Sequence, residues 1–214
     1  MIKGTDVSRW QGTIDWKKVT GIDFAILKAT QGTTLVDAQL SRNRTEARKR
    51  GILLGFYHFA NGGDPIAEAD HFVKNVGTLQ TGELLVLDWE IPHKDPAGWS
   101  RKFLDRVKEK TGIKALLYTN EARVISIDWT PVVKGDYGLW VAKYGDNDTN
   151  PEPNERPNDD EWPFYVLWQF SSTGTVPGIS GRVDLNTAYI SLDTLKKYGK
   201  QAPACTHCCP LHCK

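Results

Sequence analysis

Residues 84–90 read Leu-Leu-Val-Leu-Asp-Trp-Glu. Four consecutive aliphatic side chains suit a strand buried on both faces, as in a parallel sheet. Side chains alternate along a strand, so Asp88 and Glu90 are expected on one face and Trp89 on the other. By strand rise the two acids would stand about 7 Å apart. Like charges at that separation repel, and a fold has no stability reason to build such a pair. Either the strand has ended and its acids sit in solvent, or the pair serves chemistry.

Outward from this strand the chain alternates between two periods. Strand-like runs cover residues 4–8, 24–29, 53–59, 84–90, 115–119, 139–143, 165–170 and, briefly, 183–185. Helical patterns fall between several of them. Residues 42–50 are polar with a Gly51 stop. Asp64-Pro65 is a cap followed by proline at the first helical position, and Ile66, Phe72, Val73 and Val76 give an apolar face before Gly77. Trp99, Phe103, Leu104 and Val107 repeat the helical period before Gly112, and residues 192–198 close the domain. Eight strands with interspersed helices predict an α/β fold, an irregular (β/α) TIM-like barrel in a single domain, some crossovers being too short for regular helices. An open doubly wound sheet is the rival.

The chain has 214 residues, a length that one barrel domain can use in full. Its formal net charge of +1 gives no argument for nucleic acid or an anionic membrane as partner. It has no run of about 18 apolar residues of the kind that spans a membrane. The opening Met-Ile-Lys-Gly-Thr-Asp lacks the pattern of a secretory signal. The expectation is a product made in the cytoplasm that needs release or some other export. Eight tryptophans can all be core; they also suit a sugar-binding groove, because the apolar face of a pyranose packs on an aromatic ring.

All four cysteines, Cys205, Cys208, Cys209 and Cys213, lie in the last ten residues beside His207 and His212. None can staple the main domain. Residues 1–198 are therefore read as the barrel and 199–214 as a linker and Cys/His-rich tail. The tail is expected to be peripheral, with a metal clip or an intermolecular disulfide as alternatives. Residues 146–163 form a long polar loop. Asp146-x-Asp148-x-Asn150 resembles the start of a calcium loop, but Pro151 replaces the glycine and Pro157 the closing acid, so calcium is rejected there. A wall of a groove, or a plain solvated loop, remains.

Parallel barrels place catalytic groups at the C-terminal ends of their strands. Those ends supply Asp6 from the first strand, Asp88 and Glu90 from the fourth and Asp184 from the last. They also supply Tyr57 and His58, Tyr118, Tyr144 and Gln169. Closure of the barrel would bring these onto one mouth. Carboxylates crowded there cannot all ionise cheaply, so at least one is held protonated near neutrality. A neutral acid beside ionised partners is what glycosidic bond cleavage requires.

The segments Gly4-Thr5-Asp6-Val7-Ser8, Lys28-Ala29-Thr30-Gln31-Gly32, Gly55-Phe56-Tyr57-His58-Phe59, Asp88-Trp89-Glu90, Leu139-Trp140-Val141-Ala142-Lys143-Tyr144 and Trp168-Gln169-Phe170 with Val183-Asp184 are weak singly. In this order and spacing the chain resembles the Chalaropsis-type lysozymes, glycoside hydrolase family twenty-five, over residues 3–198. The resemblance implies an irregular α/β barrel that hydrolyses the β-1,4 bond between N-acetylmuramic acid and N-acetylglucosamine. It implies Glu90 as general acid and Asp88 as its partner, with Asp6 and Asp184 lining the site. Tyr57, Tyr118, Trp140, Gln169 and Lys28 would bind substrate, and His58 would be structural. The partner implied is the glycan strand of bacterial peptidoglycan, cut by a monomer with no cofactor. The Cys/His tail departs from the family pattern, and no appended wall-binding repeat is visible. A phage endolysin, released through a membrane lesion, fits such a chain, as does a bacterial enzyme exported otherwise. A non-catalytic carbohydrate-binding barrel is the alternative function; retention of all four acids speaks against it.

Overall fold

A computed structural model of the chain describes residues 1–151 and 155–203. The four cysteines, and with them the tail's metal or disulfide readings, lie outside the described residues. Among the described residues nine strands form one sheet: β1 (Ile2–Val7), β2 (Phe24–Gln31), β3 (Leu35–Val36), β4 (Leu53–Phe59), β5 (Leu84–Asp88), β6 (Leu116–Asn120), β7 (Leu139–Ala142), β8 (Tyr165–Gly174) and β9 (Val183–Ala188). The order is β1-β9-β8-β7-β6-β5-β4-β2-β3, and β1 also pairs with β2. That last pairing closes eight strands into a barrel. The short β3 is an antiparallel addition to the end of β2.

One expectation is corrected. The strands are not all parallel: β9 runs antiparallel to both of its neighbours, β8 and β1. Only residues 175–182 separate β8 from β9, and a parallel crossover needs a dozen or more. The strand at 84–90 is also shorter than expected and ends at Asp88.

The Leu84–Leu87 run is buried throughout, and its alternation divides two cores. Leu84 and Val86 face the barrel interior with Phe24, Ile26, Leu53 and Leu116. Leu85 and Leu87 face outward, onto a layer that includes Phe72, Phe103, Leu104 and Val107. Each such burial is worth about 1.5–3 kcal/mol. Space inside is tight: a Cβ at Gly4 would stand 2.3 Å from the Phe24 ring.

The outer layer consists of α1 (Leu40–Lys49), α2 (Pro65–Val76), α3 (Pro96–Thr111), α4 (Glu121–Ser126), α5 (Thr130–Val133) and α6 (Leu192–Lys196). Asp64 caps α2, accepting from the Ile66 N–H at 2.8 Å, with Pro65 at the first turn. Asp95 and Pro96 repeat the device on α3, which ends at left-handed Gly112. These caps satisfy backbone groups that a helix end leaves unpaired. The two short helices between β6 and β7 have no clear periodic signal in the sequence. Leu195 of α6 joins the interior cluster and stoppers the barrel floor. The chain stays docked past residue 198: Gly82 N–H donates to Lys200 O at 2.7 Å, and Lys200 N–H to Glu83 O at 2.9 Å. No helix among the described residues is long and apolar enough to cross a membrane.

Candidate active site

Barrel register places the acids. Asp6 sits beside Ile26 in the β1–β2 ladder, on the interior parity. Asp88 lies two residues beyond Val86 on the same parity, while Trp89 turns outward against Trp99, ring centroids 5.0 Å apart. Asp184 pairs directly with Asp6 across the β1–β9 ladder. It stands at the start of β9, and because β9 is reversed, its start lies at the mouth where the parallel strands end. The residue expected from a strand's last position arrives there from a first position. Glu90 lies past the end of β5 and is exposed; Arg123 hydrogen-bonds its carbonyl.

One pocket of about 240 Å³ is lined by Asp6, Asp88, Glu90 and Asp184 together with Lys28, Tyr57, Tyr118, Trp140 and Gln169. Every expected site residue is therefore on its wall. Tyr144, expected at a strand end, is there too, with Phe59 and Trp10. None of the described residues of the 146–163 loop lines it. Asn147 instead ties that loop to β8: its carbonyl accepts from Thr173 Oγ1 (2.7 Å) and its side-chain oxygen from the Ser172 N–H (2.8 Å).

Asp6 is held by two amides whose orientation is set from behind. Gln169 Nε2 donates to Asp6 Oδ2 at 2.8 Å, while Gln169 Oε1 accepts from the hydroxyls of Tyr118 and Tyr144, each at 2.8 Å. Asn186 Nδ2 donates to the same Asp6 oxygen at 2.7 Å, and its Oδ1 accepts from Trp140 Nε1 at 2.9 Å. Sequence reasoning missed Asn186 because the strand pattern stopped at 185. On β9 it lies two residues beyond Asp184, on the same face.

Burial raises Asp88 well above the ordinary carboxylate range, the charges of Glu90 and Asp6 adding to it and Lys28 opposing. Burial likewise raises Asp6, against hydrogen bonds from Asn186 and Gln169. Asp184 is pushed up to about 8, by burial first and then by the charge of Asp6. Two raised carboxyl groups paired across one ladder favour a single proton held between them. Asp88 Oδ1 is buried with no hydrogen-bond partner among the described residues. Lys28 is lowered by burial, against the pull of Asp88 and Asp37. Its Nζ donates to Gln31 Oε1 at 2.8 Å and lies 4.7 Å from the Phe59 ring centroid.

His58 alternates to the other side of β4. Its Nδ1 contacts Thr30 Oγ1 at 2.8 Å and its Nε2 contacts Glu68 Oε2 at 2.9 Å. Glu68 also accepts from the N–H groups of Asn61 and Gly63, at 3.0 and 2.9 Å. The histidine is fully partnered and does not line the pocket. Among the described residues no group of three or more His, Cys, Asp or Glu side chains could hold a metal.

The description "Glycosyl hydrolases family 25" belongs to a family model that matches residues 5–179. Lysozyme M1 of Streptomyces globisporus is 34% identical over 212 residues, covering 86% of this chain and 67% of that protein. The autolytic lysozyme of Clostridium acetobutylicum is 31% identical over 191 residues, covering 86% of this chain and 55% of that one. The crystal structure of a bacterial lysozyme from Streptomyces coelicolor aligns with a TM-score of 0.74 at 32% identity, covering 92% of this chain and 96% of the other.

Proposed function

The chain belongs to glycosyl hydrolase family 25, and from that membership we propose a peptidoglycan hydrolase that cuts the β-1,4 bond between N-acetylmuramic acid and N-acetylglucosamine. The observation that carries this reading is the meeting of four carboxyl groups, from β1, β5 and β9, on one small pocket lined with tyrosine and tryptophan.

Glu90 is the general acid. It stands at the open edge of the pocket and donates a proton to the leaving oxygen. As the bond breaks, positive charge grows at the anomeric carbon. Asp88 follows the same backbone two residues away and is poorly placed to attack from the opposite ring face. The 2-acetamido oxygen of the substrate attacks instead, forming an oxazolinium, and substrate assistance of this kind is a known departure from the two-carboxylate scheme. Asp88, with an unmet acceptor on Oδ1, takes the acetamido N–H. Burial raises its carboxyl group, and a cation beside it favours ionisation. Water then opens the oxazolinium and returns a proton to Glu90. Asp6 and Asp184, sharing one proton, line the floor without adding two full charges.

Two inversions at one carbon keep the β configuration. Fast NMR of the anomeric proton in product newly released from purified walls tests this. An initial β anomer with no sugar ester on the protein is expected. An initial α anomer overturns assistance and calls for a water-activating base, for which Asp6 and Asp184 are the candidates. A trapped ester on Asp88 would make that residue the nucleophile.

A further inference from the structure

The eight tryptophans divide unequally. Trp16, Trp89, Trp99, Trp129, Trp140, Trp162 and Trp168 are each at most 5% exposed, whereas Trp10 is 79% exposed. It also lines the acid pocket. A single exposed apolar side chain is unremarkable in itself; this one is held in place. It occupies a 3-10 turn (Arg9–Gln11) in which Ser8 Oγ accepts the Trp10 N–H at 3.3 Å and the Gln11 side chain accepts the Ser8 N–H at 2.8 Å. Gly12 leaves the turn at φ 62°, a conformation that favours glycine. Buried Asp37 accepts the Arg9 N–H at 3.0 Å, and the Arg9 guanidinium lies 5.2 Å from the indole centroid. A turn braced at both ends presents a large apolar ring to water beside a polar cleft. Nothing in the packing of the core needs it there.

We propose that Trp10 is a sugar-stacking platform that binds an N-acetylhexosamine ring flanking the cleaved bond, deepening the muramidase reading on which it rests. Its position in the barrel sets which ring it meets. Trp10 follows β1 and Glu90 follows β5, and β2 and β4 lie between those strands. A glycan crossing the mouth from Glu90 to Trp10 reaches the indole with a neighbouring sugar, not with the ring at the broken bond. The C–H face of that sugar packs on the indole face, a contact that selects for a chain over a single disaccharide.

The test uses the full chain carrying Glu90→Gln, which leaves a soluble peptidoglycan glycan fragment uncut. Iodide quenching reads the exposed tryptophan, because the other seven are buried. The fragment is expected to remove most of the iodide-quenchable emission, and Trp10→Phe to abolish that emission without ligand. Calorimetry is expected to show Trp10→Ala binding the fragment about tenfold more weakly, with Trp10→Phe recovering part of the loss. In the otherwise wild-type enzyme, Trp10→Ala should raise KM with little change in kcat. Thermal melting should be nearly unchanged for both variants. Binding of the fragment without protection from iodide, or Trp10→Ala binding within twofold, overturns the proposal alone. Wild-type enzyme that neither cuts walls nor binds the fragment overturns the muramidase reading and this proposal with it.

Discussion

Two buried polar clusters lie on the neighbouring strands β4 and β5, where Phe59, next to His58, pairs with Asp88, and they are built on opposite rules. Around His58, each side-chain nitrogen and oxygen has a partner: Thr30 and Glu68 take the ring, and two backbone N–H groups complete the carboxylate. Around Asp88, one carboxyl oxygen has none among the described residues, and the like charges of Glu90 and Asp6 act on it against the opposite charge of Lys28. The first cluster is finished. It cross-links β2, β4 and α2 and has no capacity left for a ligand. The second is left incomplete, in a place where desolvation makes incompleteness costly. Tyr57 and His58 are adjacent in sequence, yet one lines the pocket and the other supports the wall. Residue type does not separate structural from chemical groups here; the face of the strand on which each stands does.

The strongest way to break this contrast is at the open edge of the unfinished cluster. Glu90→Gln should lower wall lysis about 100-fold or more, the scale of general acid catalysis, while the melting temperature stays put. Turbidity loss of a purified wall suspension measures the first and calorimetry the second. Near-normal lysis by folded variant would remove Glu90 from its role.

The finished cluster should answer in the other currency, stability. Glu68→Ala leaves His58 Nε2 and two N–H groups unpartnered, and each buried polar group so orphaned costs about 1–3 kcal/mol. Urea unfolding should show the loss, while activity per folded molecule is kept. A variant as stable as wild type, or one folded but inactive, would erase the distinction between the two clusters.

The clusters also respond to pH with opposite signs. Burial alone would raise Glu68, but hydrogen bonds from His58, Asn61 and Gly63 pull it below its ordinary value. Its contribution is present above the unfolded value and is lost as pH falls through the folded one. Asp184 is raised from 3.8 to about 8. Its contribution is complete below the lower value and is lost as pH rises through the upper one. Asp184→Asn should therefore raise stability at pH 8 by about 1–2 kcal/mol, as removal of a functional strain often does, and by little at pH 4. Equal effects at the two pH values would show that the shared proton does not exist.

The acids were legible in the sequence because strand ends carry a local signal, an aliphatic run that stops at a charge. Their common pocket followed from barrel closure. The direction of β9 was not legible: its short apolar pattern reads the same either way, and only the length of 175–182 argues against a crossover. Asn186 was hidden with it. Trp10 was hidden for a different reason, since periodicity identifies what a core buries and is silent about what a turn displays. The polar loop at 146–163 misled because composition marks exposure but does not say what it faces. Asn147, at a positive φ of 60°, turns that loop onto β8.

The reversed last strand has a consequence for synthesis. β1 is made before the other strands and can pair with β2 once that strand follows, but its other edge waits for β9. Asn186 and Asp6, which hydrogen-bond in the finished site, are 180 residues apart in sequence. A nascent chain that has reached residue 182 already carries Asp88 and Glu90, yet it has no Asp184 to share the proton of Asp6 and no open strand to seal the ring. Contacts of such long separation form late, because loop closure must precede any reward from them. Lytic competence therefore appears in one closing event once β9 has been made, and products truncated before β9 carry the acid without the site.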